Sequence, residues 1–261
     1  MIGTVAGGPS RTCETPSRPT GRQPGTPDAQ SSWKGEHVFE NRCHAGRRLG
    51  ARLASYRAAD VVVVGLPRGG MVVADEIASA LEAPLDVVVV RKLRALQDCE
   101  LGIGAVAGGT TPEVVLDEDA LSVPGVTSEY VCDEVERQLR EVRLRETLLR
   151  EGRRPEPLAG RTVIVADDGI ATGGSVRAAL QVVRRSRPRS ILLAVPVMPA
   201  AVLRLLAPLV DQVVCLRTPR RFDTVGAFYR EFETVSDGEV VALLAEARAR
   251  TARVTSMAAT Q

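Results

Sequence analysis

The chain has 261 residues, 44% of them hydrophobic, 25% charged and only 3% aromatic, with a formal net charge of +2 at pH 7. That length and apolar content suffice for a well-buried core in one large domain or two small ones. The near balance of charge provides no strong attraction to nucleic acid or to a membrane surface, so neither is an expected partner.

Residues 1–32 are rich in Gly, Pro, Ser and Thr and nearly empty of large apolar side chains, so a disordered tail is expected there. The start lacks the charged-then-apolar pattern of a secretory signal. From Trp33 the composition changes, and a folded domain is expected over residues 33–235. The stretch from Phe39 to Tyr56 has helical spacing, with Leu49, Leu53 and Tyr56 on one face. Short β-branched runs follow at Val61 ("VVVVGL"), Asp86 ("DVVVV"), Thr162 ("TVIVA"), Ser190 ("SILLAV") and Asp211 ("DQVVCL"). None alternates with polar residues, which is the pattern of strands covered on both faces of a parallel sheet. Helical segments separate them: Met71–Leu81, Gly174–Arg185 and Ala200–Leu206. This succession is the signature of an α/β fold with a parallel sheet flanked by helices.

Three segments stand apart from that succession. Residues 104–116 are expected to form a β-hairpin turning over Gly108, Gly109 and Pro112. Ser128–Glu151 is expected as a long helix with Val131, Val135, Leu139, Val142 and Leu149 in one stripe. Its wet face would carry the i,i+4 pairs Glu136/Arg140, Glu141/Arg145 and Glu146/Arg150. Ser236 and Glu239 form a capping box that opens a C-terminal helix and tail over residues 236–261. The apolar run Ile191–Val210 has the length of a membrane span, but Pro196, Pro199, Arg204 and Pro208 break it into strand, turn and helix. The five cysteines, Cys13, Cys43, Cys99, Cys132 and Cys215, have no ligand-type spacing and read as reduced thiols of a cytoplasmic protein, with no metal site built from protein ligands alone.

The chemistry concentrates in "TVIVADDGIATGGSV", residues 162–176. A strand ending near Ala166 places Asp167 and Asp168 at the carboxyl edge of the sheet, where open α/β folds bind ligands. The turn that follows opens a helix, whose free N–H groups and dipole favour a phosphate. Gly173 and Gly174 allow close backbone approach, while Thr172 and Ser175 add hydroxyls. Carboxylates facing that phosphate would repel it, so they are suited instead to sugar hydroxyls or to a hydrated cation. A sugar phosphate is the ligand implied.

The motif "VIVADDGIATGGS" resembles the signature of type I phosphoribosyltransferases, and with "LPRGG", "VVVVRKL" and "IGAV" the chain is most similar to bacterial phosphoribosyltransferase-like proteins of unassigned acceptor over residues 37–235. The resemblance implies a parallel sheet with an inserted hairpin and long helix, and a small hood from residues 33–58 and 218–235. It implies that Asp167 and Asp168 hold the ribose hydroxyls of phosphoribosyl pyrophosphate. Thr172, Gly173, Gly174 and Ser175 would bind its 5′-phosphate, with Gly169, Ile170 and Ala171 as further substrate-binding residues of the same turn. Arg68, Gly69 and Gly70 fall at the family's pyrophosphate loop, and "RKLRALQDCELG" resembles its mobile loop, with Arg91 and Lys92 as the basic pair. Lys92 is one of only two lysines in the chain, which otherwise uses arginine. Mg²⁺ is the implied cofactor, a small-molecule acceptor the implied second substrate, and a homodimer is compatible with the family. A non-catalytic sensor of the same ligand would need the same residues.

Other motifs fail on context. "GIGAVA" at Gly102 fits a dinucleotide fingerprint but is not the strand-to-helix turn that motif needs, and no P-loop, HExxH or GxSxG element is present. His37 and His44 read as surface or capping residues. Family members acting on 6-oxopurines resemble one another in an aspartate before the Thr-Gly of the turn, and this chain has Ala171 there. Phe222, Phe228, Tyr229 and Phe232 crowd after the last expected strand, either as a stacking face for a planar acceptor or as core.

Overall fold

The β-branched runs form the centre of the molecule, in a computed structural model that describes residues 38–57, 59–95, 102–109, 112–117, 119 and 122–258. The tail expected over residues 1–32 lies outside them. In chain order the elements are α1 (Arg42–Arg52), β1 (Val61–Gly65), α2 (Gly69–Leu81), β2 (Leu85–Val87), β3 (Val90–Arg94), β4 (Gly102–Ala107) and β5 (Glu113–Leu116), then α3 (Ser128–Arg150), β6 (Thr162–Ala166), α4 (Gly174–Arg185), β7 (Ser190–Val197), α5 (Ala200–Leu206), β8 (Gln212–Arg217) and α6 (Asp237–Ala258).

Five strands make one sheet in the order β2-β1-β6-β7-β8, and every pairing in it is parallel. All residues of β1 and β6 are buried, which accounts for the missing alternation. Val61 and Val63 point to the layer of α1, α2 and α6, meeting Leu49, Leu53, Met71, Ile77 and Leu244. Val62 and Val64 point to the opposite layer, where Val176, Leu180 and Val183 of α4 and Leu206 of α5 pack. Residues 38–40 and 222–235 join over the carboxyl end of this sheet. Phe39 bridges Tyr229, and Phe39 N–H donates to the Phe228 carbonyl at 3.0 Å. Among the described residues, no helix is long and apolar enough to cross a membrane.

The run at Asp86–Val90, expected as a single strand, is divided between two sheets. β2 ends at Val87, and β3 instead pairs antiparallel with β4, which pairs with β5. Arg91 and Lys92 therefore lie on a strand, not in a loop; residues 96–101 of the expected loop fall outside the described residues. A buried ionic cluster marks the junction. Asp86 is 4% exposed, and its Oδ1 accepts from Arg150 Nε at 2.8 Å while its Oδ2 accepts from Glu156 N–H at 2.8 Å. Arg150 also donates to the Val87 carbonyl at 2.5 Å and stands 3.3 Å from Glu146.

Two of the three ion pairs expected on the wet face of α3 are thus used otherwise. Arg150 and Glu146 turn inward, and Arg145 binds Asp237 on α6, leaving Glu136 with Arg140 as the surface pair. An i,i+4 pattern is the same whether its charges face water or anchor the helix to a sheet. Removing one partner of a buried pair strands the other's charge. Arg150→Met is therefore expected to cost about 3–5 kcal/mol in urea unfolding, and adding Asp86→Leu to recover much of that loss.

Candidate active site

The strands β1 and β6 lie side by side, but β1 is followed by its neighbour on one side and β6 by its neighbour on the other. Strand order reverses between them, which opens a crevice beyond their carboxyl ends. Asp167 and Asp168 leave β6 at this crevice, and the loop from Leu66 to α2 leaves β1 opposite them. A β-carbon on Gly69 would clash with Asp168 Oδ2, and one on Gly70 would lie 2.7 Å from Asp167 Oδ1. Glycine is required at both positions for so close an approach. The Pro67–Arg68 peptide is cis, and the Arg68 residue is exposed.

The turn after the aspartates is tied down at Ile170, whose N–H donates to the Val197 carbonyl of β7 at 3.0 Å. Gly173 caps α4 with φ at +86°, a left-handed conformation that favours glycine. Ala171, Thr172 and Gly174 are exposed, and a β-carbon on Gly174 would meet open space. The first amides of α4 are therefore accessible to an anion, with the positive end of the helix dipole behind them.

Burial pushes both aspartate carboxyls above the ordinary aspartate range. Asp167 is moved further because the charge of Asp168 adds to its burial. Asp168 is steadied by Arg42, the first residue of α1, whose Nε donates to its Oδ2 at 2.7 Å. Asp167 Oδ1 accepts from the Asp168 N–H at 2.9 Å. The pair is thus asymmetric: Asp168 is matched by a cation, and Asp167 is the one that keeps a proton more readily.

Arg42 was not legible as a functional residue. It stands 126 positions before Asp168, and nothing in the local pattern of a helix start distinguishes it. Its Nη1 donates to the Glu233 carbonyl at 2.6 Å, and its guanidinium lies 3.7 Å from the centre of the Phe232 ring. Tyr229 donates its hydroxyl to the Asp168 carbonyl at 2.5 Å and packs between Phe39 and Phe232, at 5.3 and 5.0 Å. With only 2% of its surface exposed, Tyr229 is a core residue and offers no face to an acceptor. Phe222 and Phe228 pair with each other at 5.4 Å.

The expected site residues gather in two places. Gly69 and Gly70 come up against Asp167 and Asp168, with the exposed Arg68 preceding them in the loop and Gly169–Gly174 continuing the same edge. Arg91 and Lys92 line a separate cleft of about 570 Å³, which Ser175 also lines. Chemically, the first place can accept hydrogen bonds from hydroxyls beside an anion, and the second adds cations.

A folded-state pKa above the unfolded one means that the native protein holds a proton the unfolded chain releases. The stability this confers is present below the unfolded pKa and lost as pH rises through the raised folded value. Asp167→Asn should flatten that decline, so melting temperature followed against pH should show the variant gaining on the parent as pH rises toward neutrality. Parallel curves would exclude a retained proton at Asp167.

The comparisons with known proteins agree with this architecture. Two curated proteins of Mycobacterium tuberculosis, from strains CDC 1551 and H37Rv, are each provisionally named as a phosphoribosyl transferase and are 45% identical over 208 residues. The match takes in 79% of this chain, which spans only 46% of the length of either relative. The crystal structure of TT1426 from Thermus thermophilus superposes with a TM-score of 0.68 at 42% identity, covering 80% of this chain and 98% of that one. Residues 41–205, which include α1, the crevice loops and the inserted sheet and helix, match the phosphoribosyl transferase domain, and the chain belongs to that family.

Proposed function

We propose that the protein is a cytoplasmic phosphoribosyltransferase that binds phosphoribosyl pyrophosphate with Mg²⁺ and transfers the phosphoribosyl group to a nitrogen acceptor, releasing pyrophosphate. The observation that carries this reading is the juxtaposition, at the strand-reversal crevice, of two carboxylates with a glycine-rich helix start that is open to an anion. In this reading Thr172–Ser175 hold the 5′-phosphate, and Asp167 and Asp168 orient the ribose hydroxyls. Arg68 and the glycine loop receive the pyrophosphate.

Among the described residues, no group of three or more acidic, His or Cys side chains is placed to hold a metal. Two carboxylates, one already bound to Arg42, suit a magnesium ion that arrives on phosphate oxygens and keeps its waters. Asp167 and Asp168 would be its nearest protein groups, and its contribution would be to neutralise charge on the leaving pyrophosphate. The acceptor nitrogen bonds to C1 of the ribose as the C1–O bond to pyrophosphate breaks, and the electron pair leaves with that oxygen. Arg68, the loop amides and the cations on β3 stabilise the departing charge, which is where electrostatic catalysis acts. Tyr229 holds the backbone carbonyl of Asp168 and Arg42 holds its carboxylate, so that carboxylate is oriented before the ligand arrives.

Titration calorimetry with phosphoribosyl pyrophosphate and Mg²⁺ tests the ligand. Asp167→Asn with Asp168→Asn is expected to weaken binding by roughly a hundredfold, since two charge-assisted contacts are lost. Undiminished binding by the folded double variant would overturn the assignment. A nucleobase panel tests the acceptor: with Ala171 unable to exchange a proton, hypoxanthine and guanine are expected not to be turned over. Ligand binding without pyrophosphate release from any acceptor would favour a sensor.

A further inference from the structure

The segment that follows β8 stands over one side of the crevice and carries charge that the proposed reaction leaves unused. β8 ends at Arg217, whose carbonyl accepts from the Met198 N–H at 3.2 Å, just past the end of β7. From there residues 218–224 arch back to Val225, which packs on Gly169 so closely that a β-carbon on that glycine would lie 2.5 Å from Val225 Cγ1. Four residues on, Tyr229 fastens the arch to the Asp168 carbonyl, and Phe222 and Phe228 brace it from within. Its backbone is thus held at both ends. Arg217, Arg220 and Arg221 project from it, exposed and with no acidic partner among the described residues. Arg184, Arg185 and Arg230, on nearby parts of the same surface, are by contrast matched by Asp211, Glu113 and Glu40.

We propose that the acceptor is an organic anion, a nitrogen nucleophile bearing a carboxylate that Arg220 and Arg221 receive. Strand order gives the direction. The glycine loop follows β1, the aspartates follow β6, and the arch follows β8 on the far side of β6. A displacement at C1 aligns the entering atom opposite the leaving one. With pyrophosphate drawn to the loop after β1, the acceptor enters from the side of the arch. There the nitrogen lone pair forms the bond to C1 as the electron pair of the C1–O bond departs with pyrophosphate, and the carboxylate takes no part in the bond change. A neutral acceptor would leave these guanidiniums without a counterpart, whereas an anionic one needs them to offset repulsion from Asp167 and Asp168. An arginine fork matches the two oxygens of a carboxylate. The inference rests on the proposed function for the places of ribose and pyrophosphate.

The test uses matched pairs that differ in the acidic group: nicotinate with nicotinamide, orotate with uracil, and anthranilate with aniline. Binding to the full chain is measured by calorimetry with Mg²⁺ and ribose 5-phosphate, which fills the sugar site without a leaving group, and pyrophosphate release is followed separately with phosphoribosyl pyrophosphate. At least one acid is expected to bind tenfold or more tightly than its neutral counterpart, and more weakly as salt is raised. Arg220→Gln and Arg221→Gln should each weaken binding of that acid about tenfold, the loss of one charge-assisted contact. Both should leave the neutral counterpart and phosphoribosyl pyrophosphate within about twofold of the parent, and Arg204→Gln, exposed on α5, should alter none of these affinities. The substituted side chains are exposed and unpaired, so the fold is not at stake, and melting curves verify this. No preference for any acid, or a preference that both arch variants retain, overturns the inference. Pyrophosphate release with neutral compounds alone also overturns it and leaves the transfer reaction standing. Acid-selective binding that the arch variants lose, with no pyrophosphate released by the parent, overturns the transfer and leaves the anionic ligand standing.

Discussion

Two neighbouring carboxylates at the end of a buried strand repel each other, and a single arginine from the other end of the fold makes their coexistence tolerable. Arg42 supplies the cation for Asp168, and the cost of enclosing that guanidinium is met by the Glu233 carbonyl and the Phe232 ring. Once Asp168 is matched in this way, the remaining electrostatic strain falls on Asp167, whose carboxyl is pushed well above the ordinary aspartate range by its burial and by the charge of Asp168. The glycine loop can then close against both side chains. Most features of the crevice are conditions for this contact. Asn41 starts α1 by accepting from the His44 N–H at 3.0 Å, and Phe39 and Tyr229 clasp the two chain segments that deliver Arg42 and its partners.

A second buried arginine performs the corresponding task at the inserted sheet. Arg150 ends α3 against Asp86 and the Val87 carbonyl, so the helix and the root of the insertion are joined where β2 gives way to β3. The insertion carries its cations on a strand backed by Leu93, Ile103 and Val106 of the core, and Tyr130 of α3 donates to the Arg94 carbonyl at 2.6 Å. Arg91, Lys92 and Arg94 thus project from ordered backbone.

How much of this could be read from residues alone depended on whether the determining contact was local. α4 and α5 lie at the expected residues because strand, turn and amphipathic helix follow within a few positions, with Gly173 and Pro199 as boundaries. The paired aspartates and the open turn were legible for the same reason. The division at Val87 was not, because a β-branched run has the same character in either sheet, and Arg150, which meets Asp86 at the junction, lies 64 residues from it. The inward turn of Arg150 was hidden by a helical charge pattern that fits a solvated face equally well. Arg42 and Tyr229 were illegible in their actual roles because both depend on a meeting of the two ends of the domain. An aromatic cluster could be recognised in the sequence, but not which ring would be sealed beneath the others.

That meeting of the two ends bears on the order in which a newly made chain becomes competent. Chains grow from the amino end, and domains fold as their parts emerge. Arg42 leaves the ribosome before its partners, Asp168 follows 126 residues later, and the carbonyl of Glu233 and the rings of Tyr229 and Phe232 come later still. Until they emerge, the nascent polypeptide possesses both aspartates and the glycine turn but lacks the groups that fix Arg42 beside them. Completion of the crevice therefore waits for residues that emerge 61 or more positions after Asp168.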